Sequence, residues 1–251
     1  MFLEKFMRIH SRFATHLNRF YRTFFPASCI LCRHPTEHSP FICSACQDDL
    51  PILSHHCYQC AQFLHQTDDS RLICGTCQKN PPPFERTYTL FPYQPPIIRL
   101  IIHLKFQQQL SFASFFSELF IKKMRETWYV NQPLPDLIIP MPLHDDRLRE
   151  RGFNQALEIA KPIAKAFAIP LDIRSIKRIK PTAAQSGLSA KQRKQNIAHA
   201  FSANPKQSYA NLSVAVMDDV ITTGYTMVEF CKVLKQHGAK TIDVWCCARR
   251  G

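Results

Sequence analysis

The chain has 251 residues, 45% of them hydrophobic, and a formal charge of +13. That length holds one good-sized domain plus a smaller module, and the hydrophobic share excludes a disordered chain. No run approaches the roughly 18 apolar residues of a bilayer span, and Lys5, Arg8, Arg12, Arg19 and Arg22 break up any secretory core. The expectation is a cytoplasmic protein whose cysteines serve as thiols or metal ligands rather than disulfides. The charge points to a polyanionic partner: nucleic acid, anionic lipid or a phosphorylated small molecule.

Residues 1–27 place Phe2, Phe6, Ile9, Phe13, Leu17, Phe20 and Phe24 at spacings of three and four, with basic residues between them. This predicts a basic amphipathic helix. Such a helix docks on its own protein or lies on a membrane surface, and a position at the inner face of the membrane is an open reading.

Residues 28–80 carry four Cys-x-x-Cys pairs, Cys29/Cys32, Cys43/Cys46, Cys57/Cys60 and Cys74/Cys77. Two residues between thiolates let a tight turn present both sulfurs to one tetrahedral ion, and two such turns complete a four-thiolate zinc site. A double zinc ribbon with two structural Zn²⁺ is predicted, first pair with second and third with fourth, a crossed arrangement remaining open. A module this small gains much of its stability from the metal. Redox pairs or disulfides compete poorly, because no βαβ pattern surrounds the cysteines. Cys231, Cys246 and Cys247 fall in apolar elements and read as core.

Pro81-Pro82-Pro83 forms a stiff linker. Beyond it, residues 85–251 alternate strand and helix patterns. Strands are predicted over Arg86–Tyr93, Asp136–Pro140, Leu212–Met217 and Thr241–Ala248. Helices are predicted over Ile97–Phe106, Leu110–Met124, Asn154–Phe167 and Thr226–His237. This is an α/β domain with a mainly parallel central sheet flanked by helices. Residues 171–210 add eight basic side chains against the single acid Asp172.

One segment carries chemistry. After the apolar strand ending at Met217 come Asp218 and Asp219, then Thr222-Thr223-Gly224-Tyr225-Thr226 entering a helix. Ligands of open α/β sheets sit beyond the carboxyl ends of strands, where a helix N-terminus offers N–H groups to an anion. Gly224 lets the loop close on a phosphate and the Thr hydroxyls add donors. The carboxylates would repel that phosphate but suit a vicinal diol. Phosphate and diol side by side describe a ribose 5-phosphate.

The Asp-Asp-Val-Ile-Thr-Thr-Gly stretch resembles the signature of type I phosphoribosyltransferases, which bind phosphoribosyl pyrophosphate (PRPP). From Cys29 to Arg249 the chain resembles the ComF competence family. The matching pieces are the Cys pairs, Leu104-Lys105-Phe106, Ile139-Pro140-Met141-Pro142-Leu143 and Arg147-x-x-x-Arg151-Gly152-Phe153-Asn154-Gln155. They continue with Gln185-x-x-Leu188 and Arg193-x-x-Asn196 through Phe201. The resemblance implies a type I phosphoribosyltransferase fold behind a small N-terminal double zinc ribbon. It implies that Asp218 and Asp219 hold the ribose hydroxyls. Thr222, Thr223, Gly224, Tyr225 and Thr226 would form the 5′-phosphate loop, with Val220 also among the PRPP-binding residues. Met141, Pro142 and Leu143 would approach the pyrophosphate, with Arg147, Arg151 and Lys105 adding positive charge. Gln185–Asn196 would be a mobile hood, with Arg193 its anion ligand. Tyr225 departs from the small residue usual at its position.

If the site is catalytic, Mg²⁺ with PRPP neutralises the leaving pyrophosphate, and Asp218, Asp219 and Arg193 are the catalytic candidates. No stretch names an acceptor. Two functions therefore stand side by side. One is a PRPP-binding competence protein that handles single-stranded DNA, alongside other DNA-uptake proteins, in natural transformation. The other is a phosphoribosyltransferase acting on a nucleobase or amine. A membrane-docked adaptor using the N-terminal helix is a third, weaker reading.

Overall fold

The structure, a computed structural model, describes residues 28–36, 42–64, 72–181, 197 and 199–251. The helix expected over residues 1–27 and the hood segment Gln185–Asn196, Arg193 included, lie outside the described residues. The chain divides into two compact units, residues 1–50 and 51–251.

Each unit holds one cysteine tetrad built on the same local plan. In the first, the Cys29 N–H donates to His34 O at 2.8 Å and the Arg33 N–H to Cys29 O at 2.8 Å. In the second, the Cys57 N–H donates to Gln62 O at 2.8 Å and the Ala61 N–H to Cys57 O at 2.9 Å. The residue after each second cysteine, Arg33 or Ala61, adopts a left-handed conformation with φ of 63° or 56°. The later pair of each tetrad opens a short helix, α1 (Ser44–Asp48) or α2 (Gly75–Lys79).

The larger unit is a parallel sheet in the order β1 (Arg86–Pro92), β6 (Thr241–Arg249), β5 (Ser213–Ile221), β2 (Leu137–Pro140). Val214, Ala215, Val216 and Met217 of β5 and Val244 to Ala248 of β6 are all buried. Strands covered on both faces read as continuous apolar runs, and these do. Helix α3 (Ile97–Phe106) buries Ile97, Leu100, Ile101 and Leu104. Helix α4 (Ser111–Lys123) contributes Phe112, Phe115, Phe116 and Phe120 to the core and runs on into a π-helical turn, Met124–Trp128. Helix α6 (Gln155–Phe167) starts where Asn154 caps it, its side chain accepting from the Leu157 N–H. Helix α7 (Tyr225–Gln236) makes the crossover from β5 to β6.

Four elements differ from the sequence reading. Strand β5 runs four residues past Met217, because β6 keeps pairing with it to Ile221↔Arg249. Helix α5 (Asp145–Arg151) has no buried residue, so it leaves no apolar stripe to read. The antiparallel pair β3 (Ile176–Arg178) and β4 (Phe201–Ala203) is three residues long on each side, too short for a period-two pattern.

Candidate functional site

The site follows from the register of two strands. Pro140, the last residue of β2, lies opposite Met217 in β5. Met141 therefore leaves the sheet level with Asp218, which stays in β5 opposite Cys246 of β6, and the Met141 N–H donates to Met217 O at 2.8 Å. The Asn154 side-chain amide donates to Met141 O at 3.0 Å while its oxygen caps α6. One residue thus pins the loop after β2 to the helix behind it. On the β5 side, Gly224 takes φ = 79° at the start of α7. A side chain there would be strained by about 1–2 kcal/mol.

These loops enclose a cavity of about 310 Å³. Its walls include the carboxylates of Asp218 and Asp219 and four cationic side chains, Lys105, Arg147, Arg151 and Arg178. Lys105 Nζ lies 2.9 Å from Asp219 Oδ1. Arg151 Nη1 donates to Gln155 Oε1 at 2.9 Å, and its guanidinium sits 5.5 Å from the Phe106 ring centroid. The buried Arg151 Nε and Gln155 Nε2 have no partner among the described residues. Buried polar atoms are nearly always satisfied, so unpartnered donors beside a cavity mark a place for an acceptor.

Charge is arranged unevenly over the two carboxylates. Burial, and then the neighbouring Asp219 charge, push Asp218 up to about 7, against the pull of Lys105 and Arg178. Lys105 directly neutralises Asp219. Burial also lowers Arg178 and Arg151 from the ordinary guanidinium value, opposed by Asp218 for the first and Asp219 for the second. Arginine keeps its proton in any case. Four cations facing two acids leave a surplus of positive charge, which favours a polyanion carrying hydroxyls.

The cysteine tetrads are Cys29, Cys32, Cys43, Cys46 and Cys57, Cys60, Cys74, Cys77, the sulfurs of each lying within 4.8 Å of one another. The first pair joins the second and the third joins the fourth, and all eight are free thiols. The donor set fits Zn²⁺: four soft sulfurs and no open position offered by a fifth group. The Cys60 thiol, followed by the backbone N–H groups of Cys60, Cys74 and Gln59, lowers Cys57 to about 4 against its burial.

Residues 20–85 match the Double zinc ribbon domain family, and residues 154–251 match the Phosphoribosyl transferase domain family. The DNA utilization protein YhgH of Salmonella typhi is 35% identical over 230 residues, covering 89% of this chain and 97% of that protein. Competence protein F of Haemophilus influenzae is 36% identical over 223 residues, covering 88% and 90%. The chain belongs to the ComF competence family. Among solved structures, a purine phosphoribosyltransferase from Pyrococcus horikoshii aligns with 54% of this ComF-family chain and 71% of its own, at 19% identity and a TM-score of 0.33.

Within this ComF-family fold the structure gathers Lys105, Met141, Leu143, Arg147, Arg151, Asp218, Asp219, Val220, Thr222, Gly224 and Thr226 around one cavity. Pro142 lies on a second cavity, of about 650 Å³, across the β2 loop. Thr223 and Tyr225 face a third, of about 750 Å³, shared with Pro81–Pro83 and Cys60. The departure at Tyr225 thus points away from the Asp218 cavity.

Two further charged or titratable side chains line the cavity, Arg178 and His144. Arg178 falls within the basic 171–210 segment. His144 follows the quoted Ile139–Leu143 run, caps α5, and lines the cavity with its Nδ1 3.2 Å from Asp146 Oδ2. No one-dimensional signal separates Arg178 from its basic neighbours.

Proposed function

We propose that this cavity binds PRPP and that the protein uses it in handling DNA during uptake. The observation that carries the reading is the meeting of an acidic pair, four cations and a glycine-opened helix start at the carboxyl ends of β5 and β2. Asp218 and Asp219 accept the ribose hydroxyls. Thr222, Gly224 and Thr226 surround the 5′-phosphate, and Arg147, Arg151 and Arg178 take up the pyrophosphate charge. Lys105 leaves Asp219 for the ligand. Only two carboxylates converge here among the described residues. Asp218 and Asp219 are the side chains that would face a Mg²⁺ ion arriving with PRPP, and the ion would supply neutralisation of the pyrophosphate charge.

The DNA side of the proposal rests on kinship with proteins named for DNA utilization and competence, together with the charge of +13. Single-stranded DNA is the form we assign, held by basic and stacking groups outside the Asp218 cavity. Among the described residues no helix is long and apolar enough to cross a membrane.

Thermal unfolding with and without Mg–PRPP tests the ligand. At one hundred times Kd, a ligand specific for the folded state adds about 2.7 kcal/mol, or roughly 5–10 °C for a chain of this size. Wild type should show that rise, and an Asp218→Asn/Asp219→Asn variant should not. An equal rise in both would remove the site from the account.

A second reading, phosphoribosyl transfer, is favoured by one observation. The cavity beyond the β2 loop shares Leu143, His144, Asn154 and Arg178 with the PRPP cavity and is walled by Leu148, Phe153, Leu157 and Ile176. An apolar space beside a ribose site suits a planar acceptor. Pyrophosphate release that depends on an added nucleobase or amine, and stops in the double Asn variant, would establish turnover.

A further inference from the structure

Arg249, the last residue of β6, is 7% exposed, and among the described residues its side-chain hydrogen bonds go to two places. On one side its Nη1 donates to Ile221 O at 3.2 Å, to Thr222 O, and to Arg250 O at 2.5 Å. On the other its Nε donates to Cys60 O at 2.9 Å and its Nη2 to Gln62 Oε1 at 2.9 Å. Ile221 and Thr222 open the loop read above as the phosphate site. Cys60 is a ligand of the second tetrad. A single planar guanidinium therefore bridges the metal knuckle and the phosphate loop.

Two physical points make the bridge more than packing. In a trans peptide the C=O and N–H point opposite ways. Together with the Arg250 N–H, which donates to Ile221 O at 2.9 Å, Arg249 holds the Ile221 and Thr222 carbonyls and so turns the Thr222 and Thr223 N–H groups the other way. The second point is charge. Burying a cation is costly unless an anion compensates, and among the described residues no carboxylate pairs with Arg249. Zn²⁺ held by four thiolates carries a net charge of −2, and Arg249 is bonded to the backbone of one of its ligands. The knuckle is clipped to the sheet twice more. Thr87 Oγ1 donates to Gln59 O at 2.5 Å, and the Arg86 guanidinium lies 4.5 Å from the Tyr58 ring centroid.

We propose that Arg249 is a positioning residue that couples zinc occupancy of the Cys57/Cys60/Cys74/Cys77 site to the shape of the phosphate loop. This deepens the PRPP reading and rests on it. The metal fixes Cys60 O and Gln62, these fix the guanidinium plane, and the plane sets the two loop peptides. The other tetrad, in residues 28–50, takes no part. Coupling is reciprocal by thermodynamic necessity. PRPP on the loop therefore tightens zinc in the second site and leaves the first unchanged.

The test uses the full chain loaded with zinc and follows metal loss to a chromogenic chelator, with and without saturating Mg–PRPP, while calorimetry records PRPP binding separately. The expected result is that one of two zinc ions leaves about tenfold more slowly with PRPP. Cys29→Ser should keep that slowed ion and Cys74→Ser should lose it. Arg249→Gln should bind PRPP about tenfold more weakly and, when saturated, show no slowing. Gln62→Ala removes only the Nη2 contact and should show an intermediate effect, which carries the test if Arg249→Gln does not fold. The Asp218→Asn/Asp219→Asn variant controls for zinc chelation by PRPP itself and should show no slowing. PRPP binding with unchanged release of both ions, or slowing that persists in Arg249→Gln, overturns the coupling alone. Absence of any PRPP heat in wild type overturns the reading of the cavity and the coupling with it.

Discussion

Lys105 Nζ and Asp219 Oδ1 stand 2.9 Å apart at the cavity wall, so a ribose diol that takes Asp219 competes with an ammonium. The lysine of this pair is positioned to follow the negative charge of the ligand. Lys105→Met should weaken Mg–PRPP about tenfold, the value of one charged contact. It should also move the loss of affinity on acidification to higher pH, because Asp218 loses a cation that opposes its protonation. Isothermal titration at several pH values reads both effects.

Asp218 makes stability depend on pH in a direction opposite to an ion-paired acid. Its folded value, about 7, lies above the ordinary 3.8. Between those values the folded state holds more protons than the unfolded state, so this group's contribution to stability falls as pH rises through the window. Asp218→Asn removes that loss. The variant should melt close to wild type at pH 4 and several degrees above it at pH 8, while failing to bind PRPP. A lower melting temperature at pH 8 would contradict the strained charge.

Arg178 separates the ligand cavity from the basic surface around it. It lines the cavity and is drawn to Asp218, whereas Lys177, one residue earlier, lines the cavity across the β2 loop and a further hollow beside Ser202–Pro205, and not the Asp218 cavity. Arg178→Ala should cost PRPP about 10–100-fold, in line with roughly 1.5–3 kcal/mol for a charged hydrogen bond. Lys177→Ala should leave PRPP binding within a factor of about two. Competitive titration of both variants against single-stranded DNA then shows whether the two ligands share cations.

What could be read in one dimension was what burial writes into it. Strand β2, the first part of β5 and helices α3 and α6 carry apolar runs or stripes because both faces, or one full face, are covered. The acidic pair and the Thr-Thr-Gly loop are contiguous, so their chemistry is local and legible. The assignment of Arg178 to the cavity depends on the β3–β4 pair folding back over the strand ends, and three-residue strands leave no pattern. Helix α5 rests on its Asp145/Asp146 start, its His144 cap and the left-handed Gly152 at its end rather than on apolar burial. The pairing of cysteines, left open by spacing, is decided by which turns the chain brings together.

A buried polar chain under the sheet offers a test of the fold away from the site. The Tyr129 hydroxyl donates to Asp243 Oδ2 at 2.6 Å and accepts from Trp245 Nε1 at 3.0 Å. Burial raises Asp243, while the Tyr129 hydroxyl stabilises its charged form. Tyr129→Phe leaves both partners unsatisfied and should cost about 1–3 kcal/mol. Chemical denaturation should show a lower midpoint with an unchanged slope, and PRPP affinity unaltered.

The central claim is that Asp218 and Asp219 hold the ribose of PRPP within a cationic cavity. Titration calorimetry of the zinc-loaded protein with PRPP and Mg²⁺ tests it most directly. The account predicts saturable heat at one PRPP per chain for wild type, and a loss of affinity of at least about 100-fold in the Asp218→Asn/Asp219→Asn variant, two charged contacts being removed. No heat with wild type, or the same isotherm in the double variant, would contradict it.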